Sequence, residues 1–156
     1  MLMSLRCGLL AMALIFPIQF AKSTDRISEY TTYTLKDLYC LTKNIYHEAR
    51  GESKLGKIAV AQVTMNRVNH ETKFPNNVCD VVYQQVAGIP QFSWTTMSTK
   101  IADSRAWYEA REIAFGVLSG KLLIKNFDFT HFHNKTVEYG QNKKNHKIIG
   151  NHVFYQ

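Results

Sequence analysis

The 156-residue sequence is poor in cysteine, proline and acidic residues. It contains 3 Cys and 3 Pro, and its 12 Asp and Glu are outnumbered by 19 Lys and Arg, which gives a formal net charge of +7. Three cysteines are too few for a disulfide-rich scaffold, and three prolines exclude a proline-rich linker. No internal repeat or second composition class interrupts the sequence, so we expect a single domain.

What the sequence does contain is enough apolar material for a core. Hydrophobic residues make up 46% of the chain, aromatic residues 12% and charged residues only 20%. A disordered chain has the opposite balance, because it cannot bury enough apolar surface to offset the entropy of folding. The sequence therefore predicts a folded domain whose basic excess favours anionic partners.

The N-terminus has the pattern of an export signal. Arg6 precedes an acid-free and mainly apolar run over residues 7–20, and Ala21, Lys22 and Ser23 follow as a small-x-small cleavage site. The run has 14 residues, whereas a membrane-spanning helix needs roughly 20. We expect an export signal, and a permanent membrane anchor is the alternative.

This pattern predicts a chain in three parts: a signal peptide or signal anchor over residues 1–23, a polar leader over 24–33, and a domain over 34–156. The domain is expected in the periplasm, the cell wall or the medium, with a transient inner-membrane tether through the apolar segment. Removal of the signal also removes one of the three cysteines, Cys7, and leaves an even pair. In an oxidising compartment we expect a disulfide between Cys40 and Cys79, with two buried thiols as the alternative.

The first helix of the domain is the clearest element. Thr34 stands three residues before Asp37, which is a capping-box arrangement for a helix start. Leu38, Leu41 and Ile45 then recur at spacings of three and four, as on one face of an α-helix.

The remaining segments change from helical to alternating periodicity. The pattern predicts helices over residues 55–69, 78–86 and 103–119, a loop over 88–96, a half-buried strand with Phe127, Phe129 and His131, and a hairpin over 147–155 that turns at Gly150 and Asn151. Helices followed by a small antiparallel sheet make an α+β fold.

Glu48 continues the apolar stripe of the first helix by three residues beyond Ile45. Burial and the partial negative charge of a helix C-terminus both raise the pKa of a carboxyl group, so Glu48 could carry a proton near neutral pH. A protonated carboxyl group is what a general acid needs in order to protonate a glycosidic oxygen. The alternative is that Glu48 forms a structural ion pair with Arg50 or another base.

Metal chemistry has weaker support. His47 and Glu48 begin like the zinc-protease motif, but Gly51 stands where the second histidine is required. His131 and His133 project from the same side of a strand, yet no third ligand is placed by the sequence. An exported metalloprotease is therefore disfavoured, and we expect neither a metal nor another cofactor.

The loop over residues 91–95 places two aromatic rings, Phe92 and Trp94, between polar side chains. Sugar rings have apolar faces edged by hydroxyl groups, so this mixture suits a carbohydrate cleft, although it also suits a hydrophobic plug under a loop. The basic stretch over residues 142–147 could attract an anionic cell-wall surface.

Taken in order, these segments resemble the SleB-like cell-wall hydrolases. The resemblance covers residues 38–155. It rests on Cys40-Leu41, Ile45-Tyr46-His47-Glu48-Ala49-Arg50-Gly51-Glu52, Ile58-Ala59-Val60-Ala61-Gln62-Val63, Asn66-Arg67-Val68, Phe74-Pro75-Asn76-Asn77-Val78-Cys79, Gln91-Phe92-Ser93-Trp94, Thr130-His131-Phe132-His133 and Ile149-Gly150-Asn151-His152-Val153-Phe154-Tyr155.

The resemblance implies a lysozyme-like, mainly helical domain that cleaves peptidoglycan between N-acetylmuramic acid and N-acetylglucosamine. It implies a lytic transglycosylase in which Glu48 alone acts as acid and base and leaves a 1,6-anhydro product. A lysozyme-type hydrolase on the same bond is one alternative, and a non-catalytic glycan-binding protein is another. A hydrolase needs a second carboxylate across the bond, and neither Asp80 nor Asp128 has a sequence reason to face Glu48.

The expected substrate contacts come from the matching segments and from the variable stretch before the last hairpin. They are Gln91, Phe92, Ser93, Trp94, His131, His133, Tyr139 and Tyr155. Tyr139 stands where the family often carries tryptophan. We expect a monomer that binds peptidoglycan glycan strands and not nucleic acid, and a bare wall-lytic enzyme of bacterial or phage origin, such as an endolysin. The lack of a wall-anchoring repeat does not support a spore role.

Overall fold

The computed structural model describes residues 33–137 and 145–156. Its elements in chain order are α1 (Leu35–Ala49), α2 (Lys54–Val68), α3 (Val78–Val82), β1 (Gln85–Val86), β2 (Ile89–Pro90), a 3-10 turn (Ser93–Thr96), α4 (Ser104–Leu118), β3 (His131–Asn134), β4 (His146–Ile149) and β5 (His152–Tyr155). The predicted α+β class is confirmed. The signal peptide and nearly all of the leader, as well as Tyr139, lie outside the described residues.

Helix α1 begins as the sequence predicts. The Asp37 backbone N–H donates to Thr34 Oγ1 at 3.1 Å, and the Thr34 N–H donates to Asp37 Oδ2 at 2.9 Å, which completes the capping box. Leu41 and Ile45 are fully buried. The apolar stripe of α1 therefore faces the core, where it packs against α4, α2 and α3.

Helix α2 is the central element of the domain. Every residue from Gly56 to Met65 is buried, so this helix contacts protein on all sides. It packs against α1, α3 and α4 on one side and against β3 and β4 on another. Its buried Lys57 is paired with Glu109 of α4 at 2.8 Å. Polar residues on such a helix must find partners inside the protein.

Three of those polar residues hold the chain that leads into the sheet. Gln62 Nε2 donates to the carbonyls of Ile124 and Phe127 at 3.1 and 3.0 Å, and Asn66 Nδ2 donates to those of Phe127 and Phe129 at 3.0 and 2.8 Å. Arg67 continues the series at Thr130. Residues 124–130 therefore run along α2 and are held by its side chains.

This arrangement corrects the predicted strand. Phe127 and Phe129 are both buried and pack edge to face, but strand β3 begins only at His131. The alternation of apolar and polar residues predicts a strand because Phe127 and Phe129 are buried while Asp128 between them is exposed. The segment is nevertheless no strand, because side chains of α2, and not a neighbouring strand, donate hydrogen bonds to its backbone carbonyls.

The sheet has the order β3-β5-β4, with both pairs antiparallel. The predicted hairpin is confirmed, since β4 and β5 are joined by Gly150 and Asn151, and Gly150 has φ +60°. Phe154 is fully buried and packs on Phe127 at 5.2 Å between ring centroids. The sheet is thereby fixed onto the α2 side of the core.

The segment after α3 differs from its prediction. Helix α3 ends at Val82, and β1 and β2 form a short hairpin with two residues in each strand, where the sequence predicted helix and then loop. The turn has positive φ at both central residues, 50° at Ala87 and 78° at Gly88, as tight hairpin turns require. Sequence periodicity could not separate a short helix from this turn because the segment is only a few residues long.

The predicted disulfide is present between Cys40 of α1 and Cys79 of α3, whose Cα atoms are 5.3 Å apart. None of the helices in the described part of the chain is both long and apolar enough to span a membrane.

Candidate active site

Glu48 is the penultimate residue of α1 and lines a pocket of about 310 Å³. The pocket lies where α1, α2, the segment before the 3-10 turn, β3 and β5 meet. Its other lining residues are Arg67, Gln91, Phe92, Phe132, His133, Asn134 and His152. Glu48 is the single carboxylate among the described residues that line this pocket.

Burial controls the protonation of Glu48. Loss of solvation raises the pKa of its carboxyl group from an ordinary 4.5 to about 7, against the opposing effects of the Arg67 charge and the Trp94 indole N–H. Burial prevails because the charged form loses hydration that the two opposing groups restore only in part. Near neutral pH, Glu48 therefore exists in both protonation states.

Trp94 stands directly beside this carboxyl group. The indole is buried, and its Nε1 has no hydrogen bond of ordinary geometry with any residue in the described part of the chain. It nevertheless lowers the pKa of Glu48, so we interpret the N–H as facing the carboxylate with looser geometry than a regular hydrogen bond. The indole stacks on His47 at 4.5 Å, and Lys43 Nζ lies 5.1 Å from its ring centroid. These contacts fix the orientation of the indole.

Arg67 supplies the positive charge of the pocket. Its Nε donates to the Thr130 carbonyl at 2.6 Å, and its guanidinium lies 5.3 and 5.4 Å from the Phe74 and Phe92 ring centroids. Burial lowers its pKa to about 10, while Tyr155 and Glu48 act in the opposite direction. Arg67 is thus a buried cation that is held by backbone and rings and can interact with an ionised Glu48.

Glu48 makes no direct ion pair with another described residue, although the Arg67 charge acts on its carboxyl group. The two ion pairs among the described residues are Lys57–Glu109 and Arg111–Glu112. Arg50, the partner proposed from the sequence, instead lies over the Tyr46 ring at 5.4 Å. Glu48 therefore faces the pocket without a direct salt bridge inside the described part of the structure.

The nearby Glu52 has a structural partner. Its Oε1 accepts a hydrogen bond from Asn151 Nδ2 at 2.9 Å, and its Oε2 accepts one from the Asn151 N–H at 3.2 Å. Glu52 also raises the pKa of His152, although burial has the larger effect and lowers it. His152 lines the pocket, and its buried Nδ1 makes no hydrogen bond to a described residue.

The predicted substrate contacts divide into two groups. Gln91, Phe92 and His133 line the pocket together with Glu48, and Trp94 stands beside the Glu48 carboxyl group. The phenyl ring of Phe92 and the indole ring of Trp94 thus lie at the pocket, with polar side chains next to them. This is the mixture expected of a carbohydrate cleft.

The other predicted contacts are placed differently. Ser93 is exposed and does not line the pocket. His131 stacks on Tyr155 at 5.4 Å between ring centroids and approaches Phe74 at 6.1 Å. Tyr155 in turn interacts electrostatically with Arg67, so His131 and Tyr155 flank the cation side of the pocket.

Sequence reasoning missed Arg67, Phe132, Asn134 and His152 as pocket residues. Arg67 had a detectable signal, because it follows the mainly apolar run over residues 58–65 on the same helix, where a charged residue requires a specific partner. Phe132 and Asn134 had no such signal in the sequence. Alternating strand residues point to opposite faces, and the sequence does not indicate which face lines a pocket. Among the described residues, no three His, Cys, Asp or Glu side chains are grouped to hold a metal ion.

Comparison with known proteins identifies one family. A family model described as "Cell Wall Hydrolase" matches residues 51–155, beginning just after Glu48. The chain is 42% identical over 55 residues to a spore cortex-lytic enzyme of Halalkalibacterium halodurans, which covers 35% of this chain and 16% of that protein. It is 33% identical over 92 residues to the spore cortex-lytic enzyme of Oceanobacillus iheyensis, which covers 56% of this chain and 29% of that protein.

A spore cortex-lytic enzyme of Bacillus subtilis is 32% identical over 82 residues, which covers 53% of this chain and 23% of that protein. The chain thus spans less than a third of the length of these curated relatives. No solved structure matches the chain.

Proposed function

Because this chain belongs to the Cell Wall Hydrolase family, we propose that it cleaves the β-1,4 bond between N-acetylmuramic acid and N-acetylglucosamine in peptidoglycan. We further propose that it does so as a lytic transglycosylase, with Glu48 as both acid and base. The observation that carries this proposal is a lone carboxyl group in the pocket with a pKa raised to about 7.

In the first step, protonated Glu48 donates its proton to the glycosidic oxygen as the bond from C1 of muramic acid to that oxygen breaks. The N-acetylglucosamine end leaves as an alcohol, and C1 becomes an oxocarbenium-like centre. An acid with a pKa near the working pH suits this transfer, because it is populated in the protonated form and is still acidic enough to donate.

In the second step, ionised Glu48 takes the proton of the muramic acid's own 6-hydroxyl group while O6 bonds to C1. This closes the 1,6-anhydro ring, returns Glu48 to its protonated form and consumes no water. Arg67 supports the first step, since its positive charge stabilises the Glu48 carboxylate that forms when the proton leaves.

The lining of the pocket supports a ring-closing reaction over hydrolysis. An inverting hydrolase holds a second carboxylate roughly 6.5 to 9.5 Å away in order to activate water. Within the described residues of the pocket lining there is no such group besides Glu48, and Glu52 is engaged by Asn151. The rings of Phe92 and Phe132 offer apolar surfaces to a sugar, and Gln91 and Asn134 offer amides to its hydroxyl groups.

We also propose that the domain acts outside the cytoplasm. The disulfide between Cys40 and Cys79 supports this location, because such bonds persist in oxidising compartments. An export signal over residues 1–23 would provide the route, and the basic composition of the chain would favour adhesion to an anionic wall.

The substitution Glu48→Gln tests the mechanism. It keeps the shape of the side chain and removes its proton transfer, so we expect purified sacculi to be bound but not solubilised, with activity lowered at least about a thousandfold. The matched control is Glu71→Gln, which changes an exposed glutamate outside the pocket and should leave activity unchanged. Substantial activity in the Glu48 variant would contradict the assignment.

Product analysis separates the reaction types. Mass spectrometry of the digest should find 1,6-anhydromuramic ends, whose mass is lower than that of reducing ends by one water. Reducing muramic ends alone would identify a lysozyme-type hydrolase, and binding without any product would identify a glycan-binding protein.

A further inference from the structure

A second pocket, of about 450 Å³, lies next to the first. Thr130 lines the second pocket, and its carbonyl accepts the hydrogen bond from Arg67, which lines the first. Asn66, the neighbour of Arg67 on α2, also lines the second pocket. So does His70, whose ring contacts Phe74 at 5.5 Å, and Phe74 in turn lies against the Arg67 guanidinium. The two pockets therefore share a wall built around Arg67.

The lining of the second pocket has a different chemistry. It carries one cation, Lys73, and one anion, Asp128, together with three side-chain amides, from Asn66, Asn69 and Gln156. Phenyl rings like those beside Glu48 do not occur in its lining within the described residues. A pocket with exposed charges of both signs and several amides is suited to a zwitterionic, peptide-like ligand.

Asn66 illustrates this suitability. Its Nδ2 donates to two backbone carbonyls, at 3.0 and 2.8 Å, which fixes the orientation of the carboxamide. The carboxamide oxygen is then the part of Asn66 that can accept a hydrogen bond from a ligand, such as a peptide N–H. Gln156 is fixed in a similar way, because its Nε2 donates to the Asp128 carbonyl at 3.2 Å.

We propose that the second pocket binds the peptide stem attached to the muramic acid, with Lys73 facing a stem carboxylate and Asp128 facing the ammonium group of its diamino acid. This proposal rests on the proposed function. The glycan itself does not need such a pair of charges, because N-acetylglucosamine is neutral and the lactyl carboxyl group of the muramic acid is consumed in the amide bond to the stem.

The attachment point of the stem supports the same placement. The lactyl group leaves the sugar at O3, two ring carbons from the C1 atom that reacts. The stem of the sugar held beside Glu48 must therefore emerge within a few ångströms of the catalytic pocket. A volume of about 450 Å³ falls in the range of roughly 300 to 1,000 Å³ typical of small-ligand sites.

A binding experiment tests the site without catalysis. The probe is the N-acetylated tetrapeptide L-alanyl-γ-D-glutamyl-meso-diaminopimelyl-D-alanine, titrated calorimetrically into the full chain carrying Glu48→Gln. We expect Lys73→Gln and Asp128→Asn each to weaken binding about tenfold, because each removes a charge-assisted contact. The control Lys125→Gln removes an exposed lysine that does not line the pocket and should leave binding unchanged.

A kinetic experiment then separates stem from glycan, using the chain with Glu48 intact. With peptide-bearing sacculi, Lys73→Gln and Asp128→Asn should raise KM more than they lower kcat, whereas with strands stripped of peptide by an amidase they should match the parent chain. Equal losses on both substrates would assign the pocket to the glycan and overturn the proposal, as would no loss on either. Cleavage by the Glu48→Gln chain would refute the proposed mechanism while leaving the peptide-binding result to stand on its own.

Discussion

At Glu48, a carboxyl group is held where its charge is unfavourable. Burial raises its pKa from 4.5 to about 7, and neither Arg67 nor Trp94 compensates fully. A group with a raised folded-state pKa binds more protons in the folded than in the unfolded state between these two values. The free energy of unfolding therefore falls as pH rises from about 4.5 to about 7, and it stays lower at higher pH.

This linkage gives a stability prediction. A rise of the pKa from 4.5 to about 7 corresponds to at most about 3 kcal/mol that ionised Glu48 withdraws from the folded state above pH 7. Glu48→Gln removes the ionisation, so we expect this variant to be more stable than the parent chain at pH 8.5, with a smaller difference at pH 5. Urea unfolding at both pH values measures the effect.

The control at the residue scale is again Glu71→Gln, which should change stability equally little at both pH values because its side chain is exposed. A Glu48→Gln chain that is less stable than the parent at pH 8.5 would contradict the raised pKa. It would indicate that ionised Glu48 is well paired, as the structural ion-pair alternative requires.

At the scale of elements, the turn between β4 and β5 packs against Glu52 in the turn that joins α1 to α2. Gly150 has φ +60°, and a Cβ atom at this position would lie 1.9 Å from Glu52 Oε2. Glu52 in turn accepts two hydrogen bonds from Asn151. The glycine thus serves two purposes, since it adopts the left-handed conformation and leaves space for the carboxylate that fixes the hairpin.

Substitution of glycines separates these two effects. Gly120 has φ +69° and no atom within 4 Å of the site of a Cβ atom, so Gly120→Ala should cost only the left-handed strain, about 1 kcal/mol. Gly150→Ala should lower the free energy of unfolding by clearly more, because Glu52 must also move. Adding Glu52→Ala to Gly150→Ala should recover part of the difference in urea unfolding. Equal losses in the free energy of unfolding for Gly120→Ala and Gly150→Ala would show that the contact with Glu52 does not affect stability.

The elements also show how far the sequence could predict the fold. The start of α1 and the Gly150–Asn151 turn were predicted correctly, because capping and turn chemistry act between residues close in sequence. The segment over residues 124–130 was not, because its hydrogen-bond partners are Gln62, Asn66 and Arg67, some 60 positions away. Local alternation cannot reveal a partner at that distance.

At the scale of the whole molecule, α1 is held in place both by packing and by a disulfide. Its core face packs against α4 and α2, and the disulfide from Cys40 joins it to Cys79 of α3 across 39 positions. Since Glu48 lies on the same helix, these contacts also fix the position of the proposed acid. A rigid support of this kind suits a group that has to meet a glycosidic oxygen with accuracy.

Removal of the disulfide should weaken the fold, while the packing of α1 against α4 and α2 still holds Glu48 in the pocket. We expect the double variant Cys40→Ala, Cys79→Ala to lose about 4 kcal/mol of stability, from the entropy that the cross-link removes from the unfolded chain. Alanine is chosen because both positions are buried. Activity per folded molecule should be nearly that of the parent.

The measurement is thermal unfolding with and without reductant. Reduction should lower the melting temperature of the parent chain and leave that of the double variant unchanged. Labelling of thiols in the denatured, non-reduced parent should find neither Cys40 nor Cys79 free. An unshifted melting temperature on reduction would show that the bridge does not stabilise the fold.

The sequence by itself determined the local features of this protein: the α1 cap, the amphipathic stripe that ends in Glu48, the paired cysteines and the tight hairpin. Each depends on neighbouring residues or on chemistry that composition reveals. Only the tertiary structure decided that Arg67 and His152 line the pocket with Glu48. Side chains from α1, α2 and β5 meet only after the core has packed, because burial and long-range hydrogen bonds are set by the whole fold. The direction of the Glu48 pKa shift follows from its place on the apolar stripe, but the packed structure sets how far the pKa rises, since desolvation is the largest cause.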